Sequence, residues 1–157
     1  MSDAIASEAI QKAVLNVLTE TFEKGYRYYT EEGGTILETL ETVSAEEASR
    51  AASPLVGTLA AQVFHTAFYL EDSIRGATGA DGGEETDWAG SWSLTTVTEA
   101  EWDDLRQNLR TQYGRTQELI RGVPAWNEDT LSFVIAIVAH SAYHLGEIRQ
   151  ALGVIRA

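Results

Sequence analysis

Apolar residues recur at the three- and four-residue spacing of amphipathic helices, and four long stretches of the chain follow this pattern. We predict that the four main helices cover about residues 3–31, 53–76, 98–122 and from 127 towards the C-terminus. Two shorter helical pieces, over residues 35–41 and from residue 44, lie between the first and second helices. The expected fold is an all-α four-helix bundle, a single domain over residues 1–157, with short extra helical pieces between helices 1 and 2.

Local signals mark where these helices begin. Ser53 followed by Pro54 supplies a cap and a first helical turn for helix 2. Thr98, with Glu101 three residues later, forms a capping box for helix 3. The acidic pair at residues 128–129 suits the first turn of helix 4, where negative charge complements the helix dipole.

Residues 77–97 are predicted to form a long loop that is rich in glycine and acidic side chains. A loop of this length is often a functional lid or a disordered segment. Trp88 and Trp92 favour an ordered loop that docks onto the bundle. They either form a hydrophobic wall over a site or simply anchor the loop.

One face of the fourth helix mixes apolar and polar side chains. The residues that share this face are Phe133, Ile137, His140, His144, Glu147 and Ala151. The four-residue spacing of His140 and His144 stacks both imidazoles on the same side of the helix. Buried polar groups need partners, and the simplest common partner of these side chains is a metal ion.

His65 is the third histidine of the chain and lies on the predicted second helix. It points away from the aliphatic stripe of that helix, so this helix either is buried on two sides or lines a cleft. Two ligands from one helix and one from another build an open metal centre in a helical bundle. Three neutral imidazoles suit Zn²⁺, Ni²⁺ or Fe²⁺, and a site with three protein ligands keeps a position for water, substrate or a thiol. The alternative is that the histidines are structural core residues.

Glu147 follows the histidine pair on the same helical face. It is interpreted as a fourth ligand, a general base or a partner that orients an imidazole. The alternative is an ion pair with Arg110 or Arg115 of helix 3. Tyr69 and Asp72, one and two turns after the first histidine, can also reach the site, although packing and a solvated charge explain them equally well.

The composition limits the possible partners and chemistry. The chain has 24 acidic and 11 basic side chains, a net charge of −13, which disfavours binding to nucleic acid. It has no cysteine, so disulfides, thiolate ligands and a cysteine nucleophile are excluded, and any thiol must come from outside. No signal peptide or membrane-spanning segment is evident, and a cytoplasmic protein is expected.

Three segments carry a resemblance to a known family: V-F-H-T-A around His65, A-H-S-A-Y-H-L-G-E-I-R-Q around His140 and His144, and a tryptophan-containing stretch before helix 3. Together they resemble the DinB/YfiT-like superfamily of metal-binding four-helix bundles. The resemblance implies a divalent metal held by His65, His140 and His144. It also implies a homodimer and, in several members, a thiol S-transferase or isomerase. The position of Glu147 is often Gln in these relatives.

We therefore expect a divalent-metal-dependent enzyme, a low-molecular-weight-thiol S-transferase that acts on small electrophiles with Glu147 as a catalytic residue. The thiol would be bacillithiol, mycothiol or glutathione. The alternatives are a metal-dependent hydrolase and a non-catalytic, metal-binding stress-response bundle. The cluster Tyr26-Arg27-Tyr28-Tyr29 is either a dimer face, because aromatic and arginine side chains are enriched at interfaces, or the end of the core stripe of helix 1.

Overall fold

A computed structural model describes residues 6–25, 27–53, 56–80, 82 and 85–157. In these residues the elements are α1 (Ser7–Phe22), α2 (Ile36–Glu41), α3 (Ala45–Ala48), β1 (Ala51–Ser53), β2 (Val56–Thr58), α4 (Leu59–Thr78), α5 (Glu99–Arg121) and α6 (Glu128–Ile155), with a 3-10 turn over Gly90–Trp92. The long helices α1, α4, α5 and α6 pack against one another as a bundle. The predicted all-α fold is confirmed, and α2 and α3 are the expected short pieces between the first two long helices.

The core lies between the four long helices and extends under α2. Its largest fully buried side chains are Phe22 and Leu18 of α1, Ile36 and Leu40 of α2, Leu59 and Leu70 of α4, Trp102, Leu109, Tyr113 and Ile120 of α5, and Ile137 and Ile148 of α6. The rings of Phe22 and Tyr113 stack with centroids 4.6 Å apart. The Trp102 indole N–H donates to the Val43 carbonyl at 2.8 Å, so this buried polar atom is satisfied.

The predicted helix starts at α3, α5 and α6 are confirmed by their caps. Ser44 and Glu47 form a capping box on α3, and Thr98 and Glu101 form one on α5. Asn127 caps α6 by accepting the amide N–H of its third residue. These caps are local in sequence, which is why the motif alone located them.

The predicted end of helix 1 is wrong: α1 ends at Phe22, not near residue 31. The carboxylate of Glu20, which is buried, accepts the backbone N–H groups of Arg27, Tyr28, Tyr29 and Thr30 at 2.7–3.1 Å. These bonds fold the following segment back against α1. Burial alone raises the pKa of Glu20, but the four amide hydrogen bonds outweigh it and lower the pKa to about 2.

The predicted start of helix 2 is also wrong. Residue 53 belongs to β1, residue 54 lies outside the described residues, and α4 begins at Leu59. Ala51 pairs with Thr58, and Ser53 pairs with Val56, in an antiparallel hairpin. Thr58 ends this hairpin and caps α4. The helix ends at Thr78, two residues past the predicted end, where Gly79 adopts a left-handed conformation at φ 69°.

α6 is less buried than the sequence predicts. Phe133, on the face predicted to be buried, is exposed, and Ile135 is 51% exposed. The continuous apolar run over residues 133–139, which is typical of the central helix of a bundle, is therefore not buried throughout. Ile137, His144 and Ala151 of the predicted face are buried. Of the helices described here, α6 alone is long and apolar enough to cross a membrane. This is weak evidence, because a core helix of a soluble bundle passes the same test.

Candidate metal centre

His65 of α4 and the two histidines of α6 meet in one cluster. The imidazole centroids of His65 lie 5.3 Å from His140 and 4.9 Å from His144, and the α6 pair is 4.5 Å apart. One ring nitrogen from each residue lies within 4.8 Å of the other two. The face of α4 that carries His65 therefore turns inward, towards α6. The direction of this face could not be decided from the sequence.

A serine of the long loop fixes the orientation of His65. Ser91 is fully buried, and its hydroxyl donates to the Trp88 carbonyl at 2.7 Å. The hydroxyl has one proton, so it must accept the hydrogen bond that joins it to His65 Nδ1 at 2.7 Å. The Nδ1 atom therefore carries the proton of the neutral ring, and Nε2 keeps its lone pair.

His144 is oriented in the same way from α4. Its Nδ1 lies 2.7 Å from Gln62 Oε1, a buried amide one helical turn before His65, and 3.0 Å from Glu147 Oε2. Both oxygens accept hydrogen bonds, so Nδ1 is the protonated nitrogen here too. Nε2 of His144 is left to face the cluster.

The two α6 histidines meet through their Nε2 atoms, which are 3.1 Å apart. Two nitrogen lone pairs at this distance repel each other unless a proton or a cation lies between them. In a tetrahedral zinc site with Zn–N bonds of about 2.0–2.1 Å, neighbouring nitrogens are about 3.3 Å apart. The separation of His140 and His144 thus fits an N–H···N hydrogen bond when one Nε2 is protonated, and a shared metal ion when neither is.

Burial lowers the pKa of all three imidazoles. The pKa of His144 falls to about 3 because burial disfavours its cation, and His140 and His65 add to the effect. Burial, followed by the influence of His65, lowers the pKa of His140 to about 4. The pKa of His65 is lowered by burial, against an opposing effect of the Glu147 carboxylate. At pH 7 the three rings are neutral, the form in which imidazole binds a metal.

Aromatic rings enclose the cluster. Trp92 stacks on His65 with centroids 4.0 Å apart, and Tyr69 stacks on His140 at 3.7 Å. Trp88 contacts Tyr69 and also anchors the loop against Phe68. The two tryptophans therefore fill both roles considered for them, a wall beside the cluster and an anchor for the loop.

The cluster opens into a cavity of about 450 Å³. Its wall consists of Val56, Gly57, Gln62, His65, Trp92, His140, Tyr143, His144 and Glu147. Glu147 is half-buried in this wall and accepts a hydrogen bond from the Tyr143 hydroxyl, which raises the pKa of that tyrosine. A small molecule can reach the histidine nitrogens from this side.

Other residues considered from the sequence lie elsewhere. Asp72 accepts a hydrogen bond from Thr86 at 2.8 Å and holds the loop. The ion-pair alternative for Glu147 does not fit, because Arg110 contacts Glu41 and Arg115 contacts Gln112. Glu147 contacts the Nδ1 side of His144, so its position matches that of an orienting partner.

Ser91 and Gln62 are hydrogen-bond partners of the histidine cluster that were not predicted from the sequence. Gln62 precedes His65 by three residues on one helix, a spacing that could have suggested a shared face. Ser91 carries no such signal, because a serine in a loop reaches a histidine 26 residues earlier only through the tertiary fold.

The fold and the cluster define a class of protein: a helical bundle whose histidines converge on an open cavity, an arrangement compatible with metal binding. The family model of the DinB superfamily matches residues 28–148, more than half of the chain, and the protein belongs to this superfamily. Comparison with curated proteins finds no match. Comparison with solved structures finds none either.

Proposed function

We propose that the protein is a divalent-metal-dependent enzyme that transfers a low-molecular-weight thiol to a small electrophile. One observation carries the proposal: three neutral imidazoles, two with their Nδ1 protons held by Ser91 and Gln62, converge on a cavity of about 450 Å³. His65, His140 and His144 would hold Zn²⁺, Ni²⁺ or Fe²⁺. Such an ion, when bound, lowers the pKa of a thiol and activates it as a nucleophile.

The thiol would come from solution, since the chain has no cysteine. Bacillithiol, mycothiol and glutathione are the candidates that the family resemblance supports. In the transfer, the sulfur forms a bond to an electrophilic carbon while an electron pair leaves with the departing group or opens a strained ring. Glu147, half-buried in the cavity wall, accepts the thiol proton, and its bond to His144 keeps the carboxylate in place.

A conjugation assay tests this function. We expect the metal-loaded protein to join a fluorogenic electrophile to one of the three thiols. Chelation should abolish the rate, and metal should restore it. The variant Glu147→Gln should lower kcat roughly 100-fold, the scale of general acid–base catalysis, while metal content stays constant.

Glu128→Gln is the matched control, because Glu128 is exposed at the start of the same helix. Its rate should equal that of the wild type. A rate that is equal with and without metal, or no rate with any thiol, would rule out the transferase. Metal-dependent hydrolysis of the same electrophile would instead support the hydrolase alternative, and bound metal without turnover would support a non-catalytic bundle.

We also propose that the protein is a cytoplasmic homodimer. The family resemblance supports a dimer, and Tyr28 and Tyr29 are 51% and 46% exposed, so they do not end a core stripe. Tyr26 lies outside the described residues.

Light scattering should give twice the mass of one chain. The variant Tyr28→Glu should shift the measured mass to that of one chain, whereas Gln107→Glu on α5 should not. A wild-type monomer would contradict the dimer.

A further inference from the structure

A second cavity, of about 430 Å³, lies directly beside the histidine cavity. The residues that line it are Ala52, Ser53, Val56, Tyr143, Gly146, Glu147, Gln150, Ala151 and Val154. Val56, Tyr143 and Glu147 line both cavities. Residues of β1 and β2 form one side and the C-terminal half of α6 forms the other, and the shared residues place the two cavities side by side along one groove.

We infer that this second cavity is the subsite that binds an uncharged alkyl or aryl group of the substrate whose reacting atom lies at the histidine cluster. This inference rests on the proposed function. It names the class of electrophile: a neutral molecule with an apolar tail.

The chemistry of the wall supports this occupant. Most of the exposed surface of its wall is apolar, and Glu147 is the only charged side chain among the described residues that line it. A negatively charged substrate group would meet this carboxylate without a cation to offset it, whereas an apolar group would lose contact with water at no electrostatic cost. The volume lies within the range of pockets that hold small ligands, about 300–1,000 Å³.

The position of Glu147 supports the same arrangement. The carboxylate stands at the boundary between the two cavities, bonded to His144 on one side and to Tyr143 on the other. A substrate that extends from the histidines into the apolar cavity must pass this group. The carboxylate would therefore lie between the histidine cluster and the apolar group of the substrate.

A series of alkyl hydroxamates with tails of one to seven carbons tests the subsite on the metal-loaded protein. The hydroxamate group binds metal ions, and the tail extends along the groove. We expect the affinity, measured by calorimetry, to rise up to about 4-fold for each added methylene until the cavity is full, because each buried methylene is withdrawn from water.

Gly146→Leu supplies the blocked variant and Gly153→Leu the matched control. A Cβ at either glycine meets nothing within 4 Å, so the helix backbone leaves room for a side chain at both positions. Gly146 lines the apolar cavity, whereas Gly153 lies about two turns further along α6 and is not among the residues that line it. Gly146→Leu should abolish the dependence on tail length and leave the affinity of the shortest hydroxamate unchanged, and Gly153→Leu should keep the full series.

A second measurement does not depend on the metal. In the metal-free protein, 1-hexanol should show nuclear Overhauser contacts to the methyl groups of Val56 and Val154. Affinity that is flat across the series, or the absence of these contacts, would overturn the subsite. A change of oligomeric mass in Gly146→Leu would show that this groove is an interface between copies. If the thiol assay fails but tail length still governs affinity, the proposed function is wrong and the subsite stands.

Discussion

The variant His140→Ala should lose its bound metal, while the wild type keeps about one equivalent per chain after dialysis. The imidazole of His140 faces His144 with 3.1 Å between their Nε2 atoms, so its removal leaves two of the three nitrogens. Loss of a group that merely orients a ligand costs about 10–100-fold in metal affinity, and loss of the ligand itself should cost more than 100-fold. Elemental analysis of the purified proteins measures the content directly.

His140 is the best of the three histidines for this test. His65 and His144 form buried hydrogen bonds with Ser91 and Gln62, and truncation of either histidine would remove one of these bonds from the interior. His140 is only half-buried, so the variant should remain folded. Ser132→Ala, at an exposed position two turns earlier on α6, is the matched control. Near-equal metal content in the two variants would show that the histidines are structural core residues.

The parts of the fold that follow from local sequence were predicted well. One face of α5 carries side chains at three- and four-residue spacing from Trp102 to Ile120, and these side chains are buried as the spacing indicates. The capping box at Thr98 marks the start of the same helix. The predicted helix boundaries are wrong where contacts that span more than one helical turn determine them. Glu20 ends α1 early because its carboxylate is a better partner for four later amides than water is. This interaction spans up to ten residues, and the periodicity of apolar side chains does not reveal it.

The features of the site divide in the same way, into those that follow from local sequence and those that depend on tertiary packing. The spacing of His140 and His144 predicts a shared helical face, because the periodicity of a helix is a local property. The position of His65 beside the other two histidines depends on the packing of α4 on α6. The two-faced pattern of α4 made this packing plausible but did not determine it. The proton positions on the rings depend on Ser91 and Gln62. These partners can be identified only from the way in which the loop, α4 and α6 pack together. Sequence thus names the candidate ligands, and the structure supplies the groups that orient them.

Ser91→Ala should weaken metal binding by about 10–100-fold, the cost of losing a group that orients a ligating imidazole. In the wild type, the Ser91 hydroxyl accepts the Nδ1 proton of His65 and donates to the Trp88 carbonyl. Alanine removes both bonds. The ring of His65 is then free to place its proton on Nε2, the nitrogen that must bind the metal, and the loop loses a buried contact. Competition with a fluorescent chelator measures the dissociation constant.

Ser93→Ala is the matched control, because Ser93 is exposed and follows Ser91 by two residues in the same turn. It should leave the dissociation constant unchanged. Nitrogen-15 spectra of the metal-free protein separate an orienting role from a loss of stability: the wild type and Ser93→Ala should show His65 protonated at Nδ1, and Ser91→Ala should show a mixture of tautomers. If Ser91→Ala binds metal as tightly as the wild type and keeps the Nδ1 proton, another group orients His65. The acidic loop would then serve only to cover the cluster, not to prepare its nitrogen for a metal.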